Sequence, residues 1–242
     1  MKKSMRVSLL AAVTVVMLCK LANAQFMNGG FEMGNFNGWS LAGTGASLSS
    51  VISASTPMLN GQTTDINPYY GNYMARLQNL AGGNHYTTLS QSSTLVSADL
   101  NETLYVGWGA MLIEPGNHSV EQQPDFSINI LKNGVTIDSF SADARTKQGG
   151  GWVPYGYLGG TAWYKSGVFS SALSAFSAGD LLSISISIND CSQGGHGGVV
   201  FLDGIGTMEI SNMNDPVPEP ATLLLFGTGI AGLVGNKLRR KK

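Results

Sequence analysis

An alternating stretch in the last quarter of the chain is the feature that most constrains the fold. Apolar side chains occupy every second position at Leu182, Ile184, Ile186 and Ile188, and serines fill the positions between them. Successive side chains of a strand point to opposite faces, so this stretch predicts a strand with one buried and one polar face. The apolar face needs a second layer to cover it, which predicts a layered β-structure.

Further strand patterns fill the central region. Residues 104–113 form a long apolar run, which is typical of a central strand covered on both faces. The pair Asn133-Gly134 lies between two shorter patterns and favours a tight hairpin turn. The shorter patterns are residues 73–77, 86–90, 126–130, 135–140 and 199–202. Because the strands are short, the turns glycine-rich and no helical pattern is convincing, the sequence predicts one all-β domain over 25–212, a sandwich or jelly roll.

The first 24 residues have the composition of a removable export signal. Basic residues at positions 1–6 precede an apolar stretch at 7–18, and residues 22–24 fit the small-x-small cleavage pattern. This predicts passage through the Sec translocon and cleavage by signal peptidase, so the leader is left out of the fold. Cys19 lies in the leader, and its removal leaves only Cys191 and excludes an intramolecular disulfide.

The opposite end combines three features in a fixed order. The first is a proline-bracketed tetrapeptide, expected to be extended and accessible, formed by Val217, Pro218, Glu219 and Pro220. An uncharged run of 14 residues, Ala221 to Val234, follows. As a helix this run spans about 21 Å, less than the roughly 30 Å of a hydrocarbon core. A terminal cluster of basic residues favours a cytoplasmic end. We therefore predict a linker at 213–220 and a short transmembrane segment with a basic tail at 221–242.

This tail resembles the PEP-CTERM sorting signal of Gram-negative bacteria, which consists of Val-Pro-Glu-Pro, a short apolar helix and an arginine-lysine cluster. The resemblance implies recognition by an exosortase, a membrane cysteine protease that cleaves near the Pro-Glu-Pro. Residues 217–220 would then be a substrate motif, and the membrane would hold the chain only until processing. The implied location is the cell envelope, the cell surface or the medium.

The exported region is acidic once both ends are removed. Residues 25–216 contain 14 acidic and five basic residues, and five minus 14 gives a net charge of −9, against −1 for the full chain. Such a domain is expected to repel nucleic acid and anionic lipid and to tolerate divalent cations. General solubility is the simpler explanation for most of these charges.

A second resemblance concerns the exported domain itself. Its opening, with Phe31-Glu32 and Gly38-Trp39, is similar to that of galactose-binding-like jelly rolls, which include several families of carbohydrate-binding modules. Residues 89–91 match a recurring Leu-Ser-Gln strand of these domains, and residues 201–205 match their closing strand. The resemblance implies that the first and last strands adjoin, where such domains often hold a structural calcium.

Carried over to this chain, the implied calcium ligands are Glu32 and Asp203. Two carboxylates together with backbone carbonyls suit a hard, oxygen-seeking cation such as Ca²⁺. The alternative is that Glu32 caps a turn and that Asp203 accepts hydrogen bonds from loop amides.

Sugar binding requires exposed aromatic rings beside polar groups. A glycine-rich stretch at 149–160, expected to be a loop, and the residues after it supply such rings. The candidate ligand-binding residues are Trp152, Tyr155, Tyr157, Trp163, Tyr164 and His196. Backbone between glycines covers a ring poorly, but rings at a sandwich edge also pack under loops, so both alternatives are open. Trp39 and Trp108 are expected in the core. Non-catalytic binding of a glycan or exopolysaccharide is the function that this pattern favours.

The stretch at 189–198 supports a competing, enzymatic interpretation. Cys191 and His196 lie close to Asp190 in the sequence, as a thiol nucleophile and its base would. Catalytic pairs usually come from distant segments, so a shared glycine-rich turn favours a shaped loop and no enzyme activity. His85 and His118 show no metal-ligand spacing with His196, which gives a zinc site little support.

A third class of function is purely structural. The low charge density and the abundance of Gly, Ser and Asn permit a matrix or coat protein that associates with itself or with exopolysaccharide. A glycan array and light scattering would separate this class from a binding module.

Overall fold

The computed structural model describes residues 26–54, 66–80, 85–114, 116, 118–119, 122–143, 151–157, 160–191 and 193–210. The predicted leader at 1–24, the linker at 213–220 and the membrane segment with its tail at 221–242 lie outside these residues. None of the helices in the described ranges reaches the length and hydrophobicity that a bilayer crossing requires.

The described residues are arranged almost entirely in strands and connecting turns. The strands are β1 Ser40–Ala42, β2 Ser50–Ile52, β3 Met74–Gln78, β4 Tyr86–Thr94, β5 Thr103–Glu114, β6 Asp125–Lys132, β7 Val135–Asp143, β8 Val153–Tyr157, β9 Thr161–Ala172, β10 Leu181–Asn189 and β11 Gly198–Gly206. Short 3₁₀ helices lie at Ala46–Leu48, Asp99–Asn101 and Leu173–Ala175. The strands predicted from the sequence are all present among them.

The strands form two antiparallel sheets that pack face to face. The five-stranded sheet has the order β1-β4-β10-β6-β7, and the six-stranded sheet has the order β2-β3-β11-β5-β9-β8. The chain changes sheet at β1–β2, β3–β4, β4–β5, β5–β6, β7–β8, β9–β10 and β10–β11, so most sequential strands lie in different layers. The inner sets β4-β10-β6-β7 and β3-β11-β5-β9 have the strand order of a jelly roll. The predicted all-β jelly-roll sandwich is confirmed.

The main core lies between the two sheets. The alternating stretch forms β10, between β4 and β6, and its four apolar side chains are fully buried while its serines remain half-buried on the outer face. Each such side chain contributes about 1.5–3 kcal/mol through burial. Trp39 and Trp108 are 8% and 3% exposed and belong to this core, as predicted.

The turn between β6 and β7 shows why the Asn-Gly pair was informative. Asn133 and Gly134 have φ angles of 52° and 84°, the left-handed conformation that a tight hairpin turn requires at both positions. Asn133 also accepts a hydrogen bond from the backbone N–H of Leu181 at 2.8 Å and donates one to Asp180 at 2.7 Å. The turn therefore also connects this hairpin to the start of β10.

Strand β5 is covered on both faces, as its continuous apolar pattern predicted. Its outward side chains Met111 and Ile113 join a second apolar cluster on the outer face of the six-stranded sheet. Farther along the same face Tyr69 lies over Gly107, where an added Cβ would come within 3.1 Å of the tyrosine ring. The hydroxyl of Tyr69 donates to the carbonyl of Trp108 at 2.5 Å.

The prediction of a glycine-rich loop over 149–160 is wrong for much of its length. Val153–Tyr157 forms the edge strand β8, which pairs with β9, a strand that the sequence patterns did not indicate. Gly167 interrupts the pattern of β9 for a packing reason, since a Cβ there would lie 3.1 Å from the indole of Trp108. Trp152, just before β8, is 7% exposed and belongs to the main core, so it is not an exposed loop ring.

Candidate functional site

A stacked pair of tyrosines lies on the outer face of the six-stranded sheet. The rings of Tyr155 on β8 and Tyr164 on β9 have centroids 4.9 Å apart and planes inclined by 30°. Tyr164 lies across Gly109, where an added Cβ would be 2.7 Å from the tyrosine hydroxyl, and it hydrogen-bonds with Ser166. Both rings are half-buried against the outer apolar cluster. Because Gly109 has no side chain, Tyr164 packs directly on the backbone of β5, which fixes the position of the pair.

The ionisation of Tyr164 depends on its surroundings. Burial raises the pKa of Tyr164, the hydrogen bond with Ser166 opposes this, and the neighbouring Tyr155 raises the pKa further. The hydroxyl of Tyr164 therefore stays protonated at neutral pH, as a group that can both donate and accept a hydrogen bond.

Trp152 and Trp163 do not join the pair. Trp163 packs against the main core, and its indole N–H donates to Oε2 of Glu114 at 3.0 Å. Trp152 is buried, as described above. Tyr157 is the last residue of β8, and its side chain lies outside the described part of the molecule. Of the aromatic candidates, the structure brings together Tyr155 and Tyr164.

His196 lies in the loop between β10 and β11, against Cys191. Its Nδ1 is 3.5 Å from the Cys191 Sγ. Asp190 shapes this loop from within, because its carboxylate accepts backbone hydrogen bonds from Cys191, Gly195 and His196 at 2.7, 2.9 and 2.9 Å. The prediction of a shaped glycine-rich loop agrees with these contacts.

This loop and the tyrosine pair flank the same end of β5. β11 and β9 are the two neighbours of β5, and β5 ends at Glu114. On one side the N–H of Ile113 donates to the carbonyl of Gly197, just beyond His196. On the other side Tyr164 is paired with Met111. The chemically distinctive side chains are thus concentrated around the Glu114 end of β5.

The thiol of Cys191 is poorly suited to act as a nucleophile. The residue is fully buried, and this burial raises the pKa of the Cys191 thiol, with the nearby charge of Asp190 acting in the same direction. A reactive cysteine needs an accessible thiolate in electropositive surroundings. The sequence-level Cys–His pair therefore exists in space, but without the activation that a thiol enzyme requires.

His118 was missed by the sequence reasoning. It comes from the segment between β5 and β6, and its ring lies edge-on to that of His196, with centroids 5.0 Å apart. Sequence spacing lent a zinc site little support because His118 is far from His196 along the chain, yet the two rings are neighbours in the structure. No spacing rule could have found this contact, because the two loops meet only after the sheets have formed.

Glu32 and Asp203 both accept backbone hydrogen bonds from the segment before β3. Glu32 accepts from the N–H groups of Asn72 and Tyr73, each at 3.0 Å. Asp203 accepts from Tyr70 and from Gly204, both at 2.7 Å. These are the contacts of the turn-capping alternative, and they account for both carboxylates without a cation. Calcium at this pair stays a prediction.

Asp203 is fully buried on β11. Burial raises its pKa to about 7, although the amides of Tyr70 and Gly204 favour the charged form, and the negative charge of Glu32 adds to the increase. The carboxyl group is therefore poised to change charge near neutral pH, which a bound cation would oppose.

The fold and the site together define an all-β domain of the jelly-roll type. The PEP-CTERM protein-sorting motif matches residues 216–241, which confirms the sorting signal seen in the sequence. The match indicates an exported protein with a C-terminal, membrane-anchoring signal of Gram-negative bacteria and implies processing by an exosortase.

Several solved structures are similar to this chain in fold. A family 61 carbohydrate-binding module in complex with β-1,4-galactotriose has 16% identity and a TM-score of 0.43 over 76% of this chain and 97% of its own. A family 28 module specific for non-crystalline cellulose has 13% identity and a TM-score of 0.40 over 74% and 92%. A cyclase from Fischerella sp. TAU has 14% identity and a TM-score of 0.40 over 74% and 92%. A comparison with curated protein sequences finds no match.

Proposed function

We propose that this chain is an exosortase-sorted surface protein whose β-sandwich binds an extracellular polysaccharide without catalysis. The leader directs it through the Sec translocon to signal peptidase, and the C-terminal motif brings it to the exosortase. The observation that carries the binding function is the Tyr155–Tyr164 stack on the outer face of the six-stranded sheet.

The stack has the properties that recognition of a sugar ring requires. A pyranose presents an apolar C–H face with hydroxyls at its rim, so it suits a fixed aromatic ring with hydrogen-bonding groups beside it. Tyr155 lies on the edge strand, stacked on Tyr164, and Ser166 follows on the same face of β9. Because Tyr164 is seated over Gly109, little side-chain freedom remains to be lost on binding.

The proposal excludes a catalytic role for the Cys191–His196 pair. Cys191 is buried and burial holds its pKa above the ordinary value, so the thiolate is a minor species. Treatment of the protein with iodoacetamide should leave glycan binding unchanged. A hydrolase activity that iodoacetamide abolishes would support the enzymatic alternative instead.

A glycan array followed by affinity electrophoresis on the captured polysaccharide tests the proposal. Tyr155→Ala should weaken binding about tenfold, which corresponds to about 1.4 kcal/mol, in a variant that circular dichroism shows to be folded. Tyr86→Ala is the matched control, since Tyr86 is an exposed tyrosine, 48% exposed, on the five-stranded sheet. The proposal fails if no glycan binds, or if both variants bind like the wild type.

One observation favours the structural alternative. The outer face of the five-stranded sheet consists largely of hydroxyl and amide side chains, with pairs such as Thr88–Ser187 at 2.9 Å and Ser92–Ser183 at 2.7 Å between β4 and β10. A regular, hydroxyl-rich face of this kind, with Asp125 and Asp143 at one end, suits contact with another copy or with exopolysaccharide. Large reversible assemblies in light scattering, together with no glycan binding, would favour a coat or matrix protein.

A further inference from the structure

A cluster of three metal-ligating side chains lies in two loops near the Glu114 end of β5. His118, Cys191 and His196 each place one nitrogen or sulfur atom within 4.8 Å of the others. The described residues contain no other His, Cys, Asp or Glu group of this kind. Two of the three members belong to the loop between β10 and β11, and the third comes from the segment between β5 and β6.

The first loop is built to hold Cys191 and His196 together. Gly194 and Gly195 adopt φ angles of 80° and 91°, which turn the chain back on itself within five residues. Asp190 is 6% exposed and fixes the turn through three backbone N–H groups, and its carboxylate also lies against the Cys191 thiol. The separation of 3.5 Å between Cys191 Sγ and His196 Nδ1 follows from this turn.

His118 approaches the pair with a buried nitrogen that has no assigned role. Its Nδ1 is buried, and no described group hydrogen-bonds to it. Leaving a buried polar atom unpaired costs about 1–3 kcal/mol, so such an atom needs an explanation. Coordination of an ion through this ring nitrogen would explain the unpaired atom and also the proximity of the other two side chains.

We propose that His118, Cys191 and His196 bind one divalent ion of the zinc class, with the fourth position open to water or a ligand. Tetrahedral zinc has bonds of about 2.3 Å to sulfur and about 2.0–2.1 Å to nitrogen, which places S and N ligands about 3.6 Å apart. The Cys191–His196 distance already has this value. Side-chain adjustments on the order of 1 Å bring the remaining separations, which are at most 4.8 Å, to this value for sulfur and nitrogen and to about 3.4 Å for the two nitrogens.

The chemistry of the three ligands selects against other cations. One thiolate and two neutral imidazoles suit zinc and its neighbours, whereas calcium and magnesium require oxygen ligands. On binding, the Cys191 thiol loses its proton to solvent, so the site releases about one proton per ion at neutral pH. Coordination also gives an exported protein a use for a single cysteine that is fully buried and cannot pair with another chain.

The experiment uses the full-length chain in mild detergent, reduced, without a polyhistidine tag and with Cys19→Ser, so that Cys191 is its single thiol. Calorimetric titration with Zn²⁺ should give about one ion per chain, with an apparent binding enthalpy that varies with the ionisation enthalpy of the buffer, as the release of about one proton requires. Titration with Co²⁺ should produce the near-ultraviolet thiolate-to-cobalt absorption of a tetrahedral site. An excess of Ca²⁺ or Mg²⁺ should not compete.

Variants assign the ligands. Cys191→Ser, His196→Asn and His118→Asn should each weaken Zn²⁺ binding by more than the roughly 10- to 100-fold that loss of a supporting residue costs. His85→Asn is the matched control, since His85 is the remaining histidine of the chain and should bind Zn²⁺ like the parent. Circular dichroism in EDTA establishes that each variant is folded.

Two results would overturn the proposal. The first is a folded parent protein that shows no thiolate-to-cobalt absorption, which requires no variant to interpret. The second is a Zn²⁺ affinity that His118→Asn and Cys191→Ser leave within about threefold of the parent. Neither result bears on the Tyr155 glycan test, so the two proposals stand or fall separately.

Discussion

Replacing Asp203 by asparagine should destabilise the protein at acidic pH and should be neutral or stabilising at alkaline pH. In the folded protein burial raises the pKa of Asp203 from 3.8 to about 7. The folded state therefore holds the proton more tightly than the unfolded state. This group contributes most to stability below about pH 4, its contribution falls as pH rises toward 7, and the loss is complete above 7. Asparagine removes this dependence.

The magnitude follows from the two pKa values. A difference of about 3 between them corresponds to a loss of about 4 kcal/mol of unfolding free energy across this pH range, to order of magnitude. Asparagine keeps one acceptor for the amides of Tyr70 and Gly204 but places an NH₂ group against the other, which costs about 1–3 kcal/mol at every pH. Asp203→Asn should therefore be destabilising at pH 4 and neutral or stabilising at pH 8.

Thermal unfolding followed by tryptophan fluorescence from pH 4 to pH 8 measures this. All four tryptophans lie between residues 39 and 163, so the signal reports on the sandwich. Glu102→Gln, which neutralises an exposed carboxylate, is the control and should follow the wild type. A difference in melting temperature between wild type and Asp203→Asn that does not change with pH would refute the raised pKa of Asp203.

Calcium binding is tested with the same variant. If Ca²⁺ raises the wild-type melting temperature at pH 8 but not that of Asp203→Asn, calcium binds at Glu32 and Asp203. Equal melting temperatures in EGTA and Ca²⁺ reject that hypothesis.

Two further predictions concern the core and the sorting signal. Trp152→Ala should lower the unfolding free energy by about 3–5 kcal/mol because it empties a buried site. The control Val153→Ala, at a side chain 51% exposed, should change the unfolding free energy by less than about 0.5 kcal/mol. Equal melting temperatures of the two variants would contradict the burial of Trp152. Replacing residues 218–220 by alanine should leave an unprocessed, membrane-associated form of higher mass, which an immunoblot of the native host detects. The control Pro216→Ala should be processed normally. Normal processing of both variants would contradict exosortase recognition of the Pro-Glu-Pro.

The sequence was most informative where a strand has one plain face. The alternation in β10 and the Asn133-Gly134 turn predicted the central part of the five-stranded sheet, because each depends on local geometry alone. The sequence patterns did not predict β9 because its inward-facing side chains do not form a continuous apolar series. Trp108 from β5 fills the space over Gly167, so a glycine that resembles a turn signal is a packing position.

The candidate site was only partly predictable, for a related reason. Tyr155 and Tyr164 were selected as aromatic residues, but their stacking depends on the register of β8, β9 and Gly109, which no local pattern encodes. Trp152 was selected by the same criterion and is buried. His118 could not be selected at all, since its partners belong to another loop. Composition identified the residue types, and topology decided which of them meet.

The two proposed metal sites lie at different positions along the six-stranded sheet and differ in ligand chemistry. Asp203 is paired with Gly107 in the first half of β5, whereas the loop of Cys191 and His196 meets β5 at Ile113 near its end. A carboxylate pair favours a hard ion and a thiol with two imidazoles favours a borderline one, so Ca²⁺ titration of the metal-free protein tests the first site and Zn²⁺ titration tests the second. The tyrosine pair flanks the end of β5 that carries the second site, so a comparison of glycan binding with and without Zn²⁺ tests whether the two sites influence each other.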